Sequence, residues 1–397
     1  MPFPKMRRLV SKISLQLKNR NGHALNNFSG IYFHIPFCPK KCLYCDFFSV
    51  TNFSKTMLDE YGKTLLTELE SRFGELSGTK IVSIYFGGGS PSMMSENFFQ
   101  KIAETASKLG INPGCCEWTV EVNPADIDES WIKNLKNCGV NRISLGIQAF
   151  DDAVLAEIGR RTTVADMKKN IPLFAKYFDN VSCDIIYGLG KNREINKELT
   201  QIFELAPFKH VSAYSYSKPE RKNAPELLDE DETLRQEKAV RDFLQKRGFS
   251  RYEISNYSLP GFESRHNMLY WTYSSWLGIG AGAASFIRKT GVSSRYADDI
   301  QAFVSGDGLS SWELTLREKI EEFLLMGLRV KTGININVYK DLFEKNFFEL
   351  ISEKTVSELV SEGFLDLSEK SGVLKCTEKG NDFLNAVLIK LFDAIIC

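Results

Sequence analysis

The sequence predicts an α/β fold, a partial (β/α)6 TIM-like barrel followed by a C-terminal, mainly helical, winged-helix-like domain. Short β-branched runs alternate with helical stretches, and their near-continuous apolar character suits parallel strands that are buried on both faces. Polar or glycine-rich residues follow these runs, at the end where β/α barrels carry their sites. A flat, doubly wound sheet is the competing architecture.

The elements are predicted from these patterns in chain order. Strands are expected at 31–35, 81–86, 117–122, 142–147, 181–187 and 210–215. Helical periodicity marks the segments 56–73, 97–109, 128–137, 164–177 and 193–205. The C-terminal part is expected to hold helices at 313–329, 351–362 and 377–393 and strands at 364–367 and 373–376. The predicted division is a basic extension at 1–29, a core at 30–290 and a C-terminal domain at 291–397.

Composition excludes several classes of partner. The 397 residues hold 50 basic and 50 acidic side chains, so no overall field points to nucleic acid, and at most peripheral membrane association is expected. The chain lacks an apolar run long enough to cross a bilayer. Nine cysteines without a secretory signal favour a reducing, cytoplasmic location. The alternative is an organelle, if the acid-free residues 1–29 are a transit peptide.

Three cysteines follow the first predicted strand in a short loop. Cys38, Cys42 and Cys45 offer three thiolates, and the next cysteine, Cys115, is far along the chain. A 4Fe-4S cluster held by three thiolates keeps one iron without a protein ligand, so this loop predicts a reactive cluster. A zinc site that adds His34 is one alternative, and a set of loop thiols without metal is the other.

A series of motifs in a fixed order resembles one known family. The matching segments are HIPFC (34–38), YCDF (44–47), GGGSPS (87–92), EVNP (121–124), SLGIQAF (144–150), DIIYGL (184–189), YEISNY (252–257), RHNMLYW (265–271), LGIGAGA (277–283) and MGLR (326–329). With the C-x3-C-x2-C loop, they resemble the oxygen-independent coproporphyrinogen III oxidase-like branch of the radical S-adenosylmethionine (SAM) superfamily. The resemblance runs from about residue 30 to the C-terminus.

The resemblance implies cofactors and contacts for this chain. Cys38, Cys42 and Cys45 are implied to hold a 4Fe-4S cluster whose open iron binds SAM, and an electron donor is implied to reduce it. SAM carries a sulfonium, an ammonium, a carboxylate and hydroxyls, which call for carboxylates, amides and a cation in its site. The implied SAM contacts are Tyr32, Tyr44, Gly88, Gly89, Ser90, Glu121, Gln148, Arg160 and Asp184.

Two functions compete within that branch. The oxidase has a further cysteine where this chain has Phe47, whereas the heme chaperone HemW subfamily does not. An H-N-x-x-Y-W stretch that marks the chaperones matches residues 266–271. The first hypothesis is therefore a heme chaperone that passes heme to acceptor proteins. The alternative is an oxygen-independent coproporphyrinogen III oxidase, which Phe47 argues against, and no catalytic residue is assigned.

His266 is the candidate heme ligand, because histidine is a common axial ligand of heme iron. A packed aromatic cluster around a hydrogen-bonded histidine is the open alternative. The chain departs from its relatives at 159–162, where G-R-R-T replaces G-R-x-H, and at 282–284, where G-A-A replaces G-A-H. With those two histidines absent, His266 stands out among the four that this chain keeps.

Overall fold

The structure is a computed structural model that describes residues 28–396. The predicted basic extension therefore lies outside the described residues, apart from its last two positions, as do His23 and Cys397. Within the described range the chain folds as an α/β protein with a large, mainly parallel sheet and a helical C-terminal region. The predicted fold class is confirmed.

Six parallel strands in chain order form the centre of the sheet, and each matches a predicted strand. They are β1 (Phe28–Ile35), β2 (Lys80–Gly88), β3 (Glu117–Val122), β4 (Arg142–Gln148), β5 (Asn180–Tyr187) and β6 (His210–Ser215). Alternate side chains face opposite sides of a strand. On β1, Phe33 is fully buried in the main hydrophobic core, while its neighbour Tyr32 lines a cavity.

Helices cover the outer face of these strands. They are α1 (Lys55–Arg72), α2 (Glu96–Lys108), α3 (Glu129–Asn137), α4 (Asp152–Glu157), α5 (Val164–Tyr177), α6 (Ile195–Leu205) and α7 (Glu230–Gln245). Capping side chains bind backbone amides in the first turn of these helices, which have no partner within the helix. The Ser54 hydroxyl accepts from the Met57 amide at the start of α1, and Thr163 and Asp166 form a capping box at the start of α5. The five predicted helices are confirmed to within two residues at each end.

The sheet is larger than predicted. Further strands are β7 (Ser250–Arg251), β8 (Asn256–Ser258), β9 (Ser275–Ile279), β10 (Ala284–Ile287), β11 (Val292–Tyr296) and β12 (Leu309–Glu313), giving the order β12-β11-β10-β9-β1-β2-β3-β4-β5-β6-β8-β7. The glycine-rich run at 276–286 thus supplies strands. Gly278 makes this possible, since an added Cβ would lie 2.2 Å from the Ala284 carbonyl oxygen. The predicted division at 290/291 falls between β10 and β11, and it stays a prediction.

Between β8 and β9 lies α8 (Arg265–Trp271), and α9 (Ile300–Ser305) connects β11 to β12. The next helix, α10 (Leu316–Gly327), is shorter than predicted, because Glu313 belongs to β12 and a capping box of Thr315 and Glu318 fixes its start.

The C-terminal part packs in a second hydrophobic cluster, which also includes Tyr270, Tyr273, Trp276 and Phe286, and it has a small antiparallel sheet. Its elements are β13 (Ile334–Asn335), α11 (Tyr339–Phe343), α12 (Phe347–Leu350), α13 (Glu353–Ser361), β14 (Leu365–Ser368), β15 (Val373–Cys376), α14 (Glu378–Asp382) and α15 (Leu384–Asp393). The helix predicted at 377–393 is two helices that meet at Phe383. Among the described residues, none of the helices has the length and apolar character needed to cross a membrane.

Candidate functional site

A cavity of about 400 Å³ opens at the carboxyl ends of the parallel strands. Side chains from β1 to β6, the loops that follow them and α8 line it. Every residue that the sequence predicts to contact the cluster, SAM or heme is in this lining: Tyr32, Cys38, Cys42, Tyr44, Cys45, Gly88, Gly89, Ser90, Glu121, Gln148, Arg160, Asp184 and His266. The structure therefore brings the whole predicted set together around one space.

The cysteine loop begins directly after β1 and is fixed at both ends by backbone hydrogen bonds. The Cys38 amide donates to the Val50 carbonyl at 3.0 Å, and the Val50 amide donates to the Pro36 carbonyl at 2.7 Å. Lys41 crosses the loop and donates to the Ser49 hydroxyl at 2.7 Å. The loop is thus a closed Ω-like excursion whose shape is set by its own contacts.

The three thiols of this loop are free and half-buried. Burial raises the pKa of the Cys38 and Cys45 thiols, while the Lys41 ammonium acts in the opposite direction. The Ser90 hydroxyl lies 3.8 Å from Cys38 Sγ, and Arg160 Nη1 lies 3.8 Å from Cys42 Sγ. Three thiols with cationic and hydroxyl donors beside them fit an anionic iron–sulfur cluster. Within residues 28–396, no three His, Cys, Asp or Glu side chains converge as ligands of a single metal ion.

His34 supports the loop from the barrel side. Its Nε2 donates to the Phe48 carbonyl at 2.9 Å, so Nδ1 accepts from the Tyr32 hydroxyl at 3.0 Å. Burial lowers the pKa of His34 to about 4, which keeps the ring neutral. Because both ring nitrogens are engaged within the fold, the zinc alternative that adds His34 to the three cysteines finds no support.

A second segment holds the loop from outside. Arg221, in the connection between β6 and α7, donates from Nη1 to the Cys42 carbonyl at 2.7 Å and from Nη2 to the Cys45 carbonyl at 3.1 Å. One planar guanidinium thus fixes the spacing of two cysteine carbonyls. The Arg221 clamp, as we name this contact, joins residues that are 179 and 176 positions apart in the chain.

The glycine run at the end of β2, Gly87 to Gly89, is required by close packing of the protein itself. A Cβ on Gly87 would lie 2.8 Å from the Glu121 carboxyl carbon, and one on Gly88 would lie 2.4 Å from the His34 ring. Gly88 also has a φ of 106°, which side chains rarely tolerate. The Gly89 amide donates to the Ile35 carbonyl at 2.8 Å, so the run is tied to the strand that carries the cysteine loop.

Glu121, the second-last residue of β3, lines the cavity. Its carboxylate accepts from the Tyr85 hydroxyl at 2.7 Å and from the Gly88 amide at 3.1 Å. Burial raises the pKa of Glu121 to about 7, with the Asp184 carboxylate adding to that effect and the two hydrogen bonds opposing it. This carboxyl therefore titrates near neutral pH, a property common at functional sites.

Asp184 lies on the floor of the same cavity. Ser144 on β4 donates to both carboxylate oxygens at 3.0 Å, and Ser182 donates at 3.4 Å. Burial raises the pKa of Asp184, while these hydroxyls and Arg142 act against the rise. Glu121 on β3 and Asp184 on β5, with β4 between them, thus offer two acceptor groups to a bound ligand.

The turn after β4 is unusual and is held by a buried ion pair. Gln148 adopts a φ of 70°. Arg193 binds Glu198 through two nitrogens at 2.6 and 2.9 Å and also donates to the Gln148 carbonyl at 3.4 Å. Glu198 accepts from the Phe150 amide at 2.7 Å. The pair therefore fixes the turn that aims the Gln148 side chain.

His266 lies on α8, and its ring closes the inner end of the cavity. Nδ1 is 2.8 Å from the Ser83 hydroxyl, and Nε2 is 2.9 Å from the Tyr270 hydroxyl. The Tyr85 ring stacks on it with centroids 4.8 Å apart. Direct ligation of a heme iron by His266 would require one of these hydrogen bonds to be replaced. Its heme role stays a prediction.

These groups are held in position by residues that the sequence analysis did not identify. Glu117 accepts from the Arg265 and His266 amides at 2.9 and 3.0 Å and so holds the start of α8. Tyr85 joins Glu121 to His266, as described above. The period-2 pattern of β2 could have shown that Tyr85 faces the barrel, but no local signal marks the partners of Glu117. Cys115, the next cysteine after the loop, is exposed.

The sequence matches two family descriptions, the Radical SAM superfamily over residues 32–202 and the HemN C-terminal domain over residues 314–383. The heme chaperone HemW of Lactococcus lactis is 33% identical over 334 residues, covering 80% of this chain and 86% of that protein. The chain belongs to the HemW family. HemW of Synechocystis is 31% identical over 326 residues, which are 76% of this chain and 78% of that protein.

The HemW family likeness extends to a eukaryotic protein and to a solved structure. The mitochondrial radical S-adenosyl methionine domain-containing protein 1 of Bos taurus is 30% identical over 332 residues, covering 77% of this chain and 74% of that protein. The structure of coproporphyrinogen III oxidase (HemN) from Escherichia coli superposes with a TM-score of 0.78 at 19% identity, covering 93% of this chain and 91% of that one. At that identity the likeness concerns the fold.

Proposed function

We propose that this protein is a heme chaperone on a radical SAM scaffold, which binds a 4Fe-4S cluster, SAM and heme and passes heme to acceptor proteins. The single observation that carries the proposal is the shared cavity. Its lining runs from the cysteine loop, through the carboxylates of β3 and β5, to the His266 helix. The relatives are named heme chaperones, and this name indicates heme delivery as the function.

In this proposal the cysteine loop holds the cluster, and the rim of the cavity holds SAM. A cluster held by Cys38, Cys42 and Cys45 would supply one-electron reducing chemistry to a bound SAM. Glu121 and Asp184 accept hydrogen bonds from the hydroxyl and ammonium groups of SAM, and the Arg160 guanidinium faces the carboxylate of SAM. Arg160 also donates to the Gly146 carbonyl, and this hydrogen bond keeps the Arg160 guanidinium near the Cys42 sulfur. Tyr32, Tyr44, Gly88, Gly89, Ser90 and Gln148 complete the proposed contact surface.

Binding of SAM is expected to strengthen about tenfold between pH 6 and pH 8, because the ionised fraction of a carboxyl with a pKa near 7 rises by that factor. Only the ionised Glu121 accepts hydrogen bonds through both of its oxygens. Isothermal titration of anaerobically reconstituted protein across this pH range measures the effect. Glu121→Gln should flatten the profile. A residual slope belongs to Asp184, whose pKa is also raised. An unchanged slope in the variant would remove Glu121 from the SAM site.

Replacement of His266 by alanine is expected to weaken hemin binding at least tenfold, about 1.4 kcal/mol, while the iron and sulfide content stays unchanged. The reason is loss of the imidazole nitrogen that we propose as the ligand of the heme iron. Spectrophotometric hemin titration of the full chain measures it. Unchanged hemin affinity in this variant would exclude His266 as the ligand.

Tyr270→Phe is the matched control for that experiment. It removes the hydroxyl that lies 2.9 Å from His266 Nε2 and keeps both rings. If Nε2 binds the iron, this variant retains or improves hemin affinity. If His266 has only a packing role, both variants should show a lower unfolding temperature and weaker hemin binding.

The alternative function is tested by adding coproporphyrinogen III, SAM and a reductant to the wild-type protein. The oxidase would form protoporphyrinogen.

The partners follow from the proposed function. Heme acceptors and an electron donor to the cluster are expected. A cytoplasmic location is proposed, with an organelle as the alternative if residues 1–29 direct import, and membrane association is expected to be peripheral at most.

A further inference from the structure

A buried histidine lies next to the strand that carries Asp184. His210 on β6 pairs with Ser182 on β5 in the strand register, and both side chains are fully buried. Ser182 and Asp184 are two positions apart on one strand, so their side chains share a face. Asp184 lines the cavity, whereas Ser182 and His210 lie beneath its lining. Any effect of His210 on a bound ligand therefore passes through Asp184.

A line of hydrogen bonds connects these residues to the start of α8. The Ser264 amide donates to the Tyr252 hydroxyl at 3.4 Å, and that hydroxyl is 2.7 Å from His210 Nε2. On the other side of the ring, His210 Nδ1 is 2.7 Å from the Ser182 hydroxyl. The Ser182 hydroxyl donates to the Asp184 carboxylate at 3.4 Å. The line thus ends at a carboxylate that faces the cavity.

The direction of this line follows from its two ends. An amide only donates, so Tyr252 accepts from Ser264 and gives its own proton to His210 Nε2. Burial lowers the pKa of His210 well below its usual value, so the ring is neutral and carries a single proton. Because Nε2 accepts, this proton is on Nδ1, which donates to Ser182. The proton of the Ser182 hydroxyl is then directed to Asp184.

The opposite tautomer of His210 would reverse the last two steps. With the proton on Nε2, Nδ1 would accept from Ser182, and the Ser182 proton would be withdrawn from Asp184. A hydroxyl that donates to a carboxylate favours its ionised form. Ser144 donates to both oxygens of Asp184, and Ser182 is a further donor whose availability depends on the tautomer of one buried ring.

We infer that His210 is a positioning residue for SAM, whose Nδ1 proton commits the Ser182 hydroxyl to Asp184 and so holds that carboxylate ionised and oriented toward the ligand. The inference rests on the proposed contact between SAM and Asp184. It adds two residues, Ser182 and His210, that act on SAM binding without touching SAM.

Other groups also act on the ionisation of Asp184. The charged and titratable groups that interact with it are Tyr44 of the cysteine loop, Tyr85 on β2, Glu121 on β3, Arg142 on β4, Cys183 on β5 and Tyr214 on β6. All of them stay in place when Ser182 or His210 is replaced. The ratio of a variant's dissociation constant to that of the wild type therefore isolates the hydrogen-bond line, and it also cancels the titration of SAM itself.

The tautomer of His210 is measured first. The full chain is labelled with 15N in its histidines, reconstituted anaerobically with its cluster and kept oxidised. Long-range 1H–15N correlation spectra distinguish a ring protonated at Nδ1 from one protonated at Nε2. The signal of His210 is identified by its loss in His210→Leu. We expect the proton on Nδ1, and a proton on Nε2 would overturn the inference.

SAM binding is then measured by isothermal titration at pH 6.5 and pH 8.5. Ser182→Ala and His210→Leu are each expected to weaken SAM binding about tenfold at pH 6.5, because loss of a hydrogen bond to the Asp184 carboxylate raises its pKa by about one unit. The loss should be smaller at pH 8.5, where a larger fraction of the carboxyl is ionised in every protein. The double variant should bind no more weakly than either single variant, since both changes remove the same hydrogen bond.

Ser258→Ala is the matched control for Ser182→Ala. Ser258 is a buried serine on β8 that pairs with His210 in the strand register, and within residues 28–396 its hydroxyl makes no hydrogen bond. The control removes the same atom beside the same histidine without breaking the line to Asp184. It should leave SAM affinity unchanged at both pH values.

The remaining outcomes separate this inference from the proposed function. Unchanged SAM affinity in Ser182→Ala would overturn the inference, even if His210→Leu does not fold. Losses that add up in the double variant would show that His210 does not act through Ser182, and would overturn it as well. In both cases SAM binding by the wild type leaves the proposed function standing. Absence of SAM binding by wild-type protein with an intact cluster would overturn the proposed function itself.

Discussion

Replacing Cys42 with serine is expected to abolish the iron–sulfur cluster. The wild-type chain, reconstituted without air, should carry about four irons and four sulfides, and the variant should lose nearly all of them. Serine has almost the shape of cysteine, but its hydroxyl does not ionise at neutral pH and so does not replace the thiolate. Iron and sulfide analysis, with the visible absorbance of the cluster, measures the loss. SAM affinity should fall with it, because the open iron disappears.

Cys115→Ser is the control for this experiment. Cys115 is exposed and precedes β3, at the opposite end of the strands from the cavity. Its replacement should leave the cluster content at the wild-type value. A Cys42 variant that still holds four irons, with normal absorbance, would refute the assignment of this loop and with it the proposed SAM site.

Replacing Glu198 with alanine is expected to cost about 3–5 kcal/mol of stability, since it leaves the Arg193 guanidinium buried without its counter-ion. The two side chains are only 9% and 4% exposed, so water does not take over the lost partner. The same change removes the acceptor of the Phe150 amide and loosens the Gln148 turn. Urea unfolding followed by circular dichroism measures the loss, and weaker SAM binding should accompany it.

Two further variants decide how that loss arises. Asp242→Ala breaks an exposed pair with Lys238, whose side chains are 42% and 66% exposed, and is expected to cost less than about 1 kcal/mol. The double change Arg193→Met with Glu198→Leu removes both buried charges and should recover much of the stability. If Glu198→Ala unfolds no more easily than Asp242→Ala, the buried pair does not stabilise the turn.

The strands and the location of the site were predictable from local patterns. An apolar run with β-branched residues, followed by a loop with special chemistry, recurs from Ile31 to Ser215, and parallel strands place all such loops at one edge. The short strands β9 to β12 were missed because glycine and serine mask their β character. β9 pairs with β1, and β10 to β12 extend the sheet from β9 in antiparallel order. This pairing is a tertiary effect that overrides weak local propensity.

The positioning contacts were not predictable, because they join residues that are remote in sequence. Glu117 meets the start of α8 from a strand 148 residues earlier, and nothing near either segment announces the contact. The neutral state of His34 likewise follows from burial and from a carbonyl partner that only the folded chain supplies. The sequence indicates which residues form the site, whereas the protonation state and the orientation of their side chains depend on packing in the folded chain.

The Arg221 clamp ties the cysteine loop to a remote part of the chain. Fixing the backbone of a loop costs roughly 1–2 kcal/mol per residue, and the hydrogen bonds from Arg221 to the Cys42 and Cys45 carbonyls help to offset that cost. A substitution at Arg221 therefore changes the spacing of the cysteines without altering any thiol.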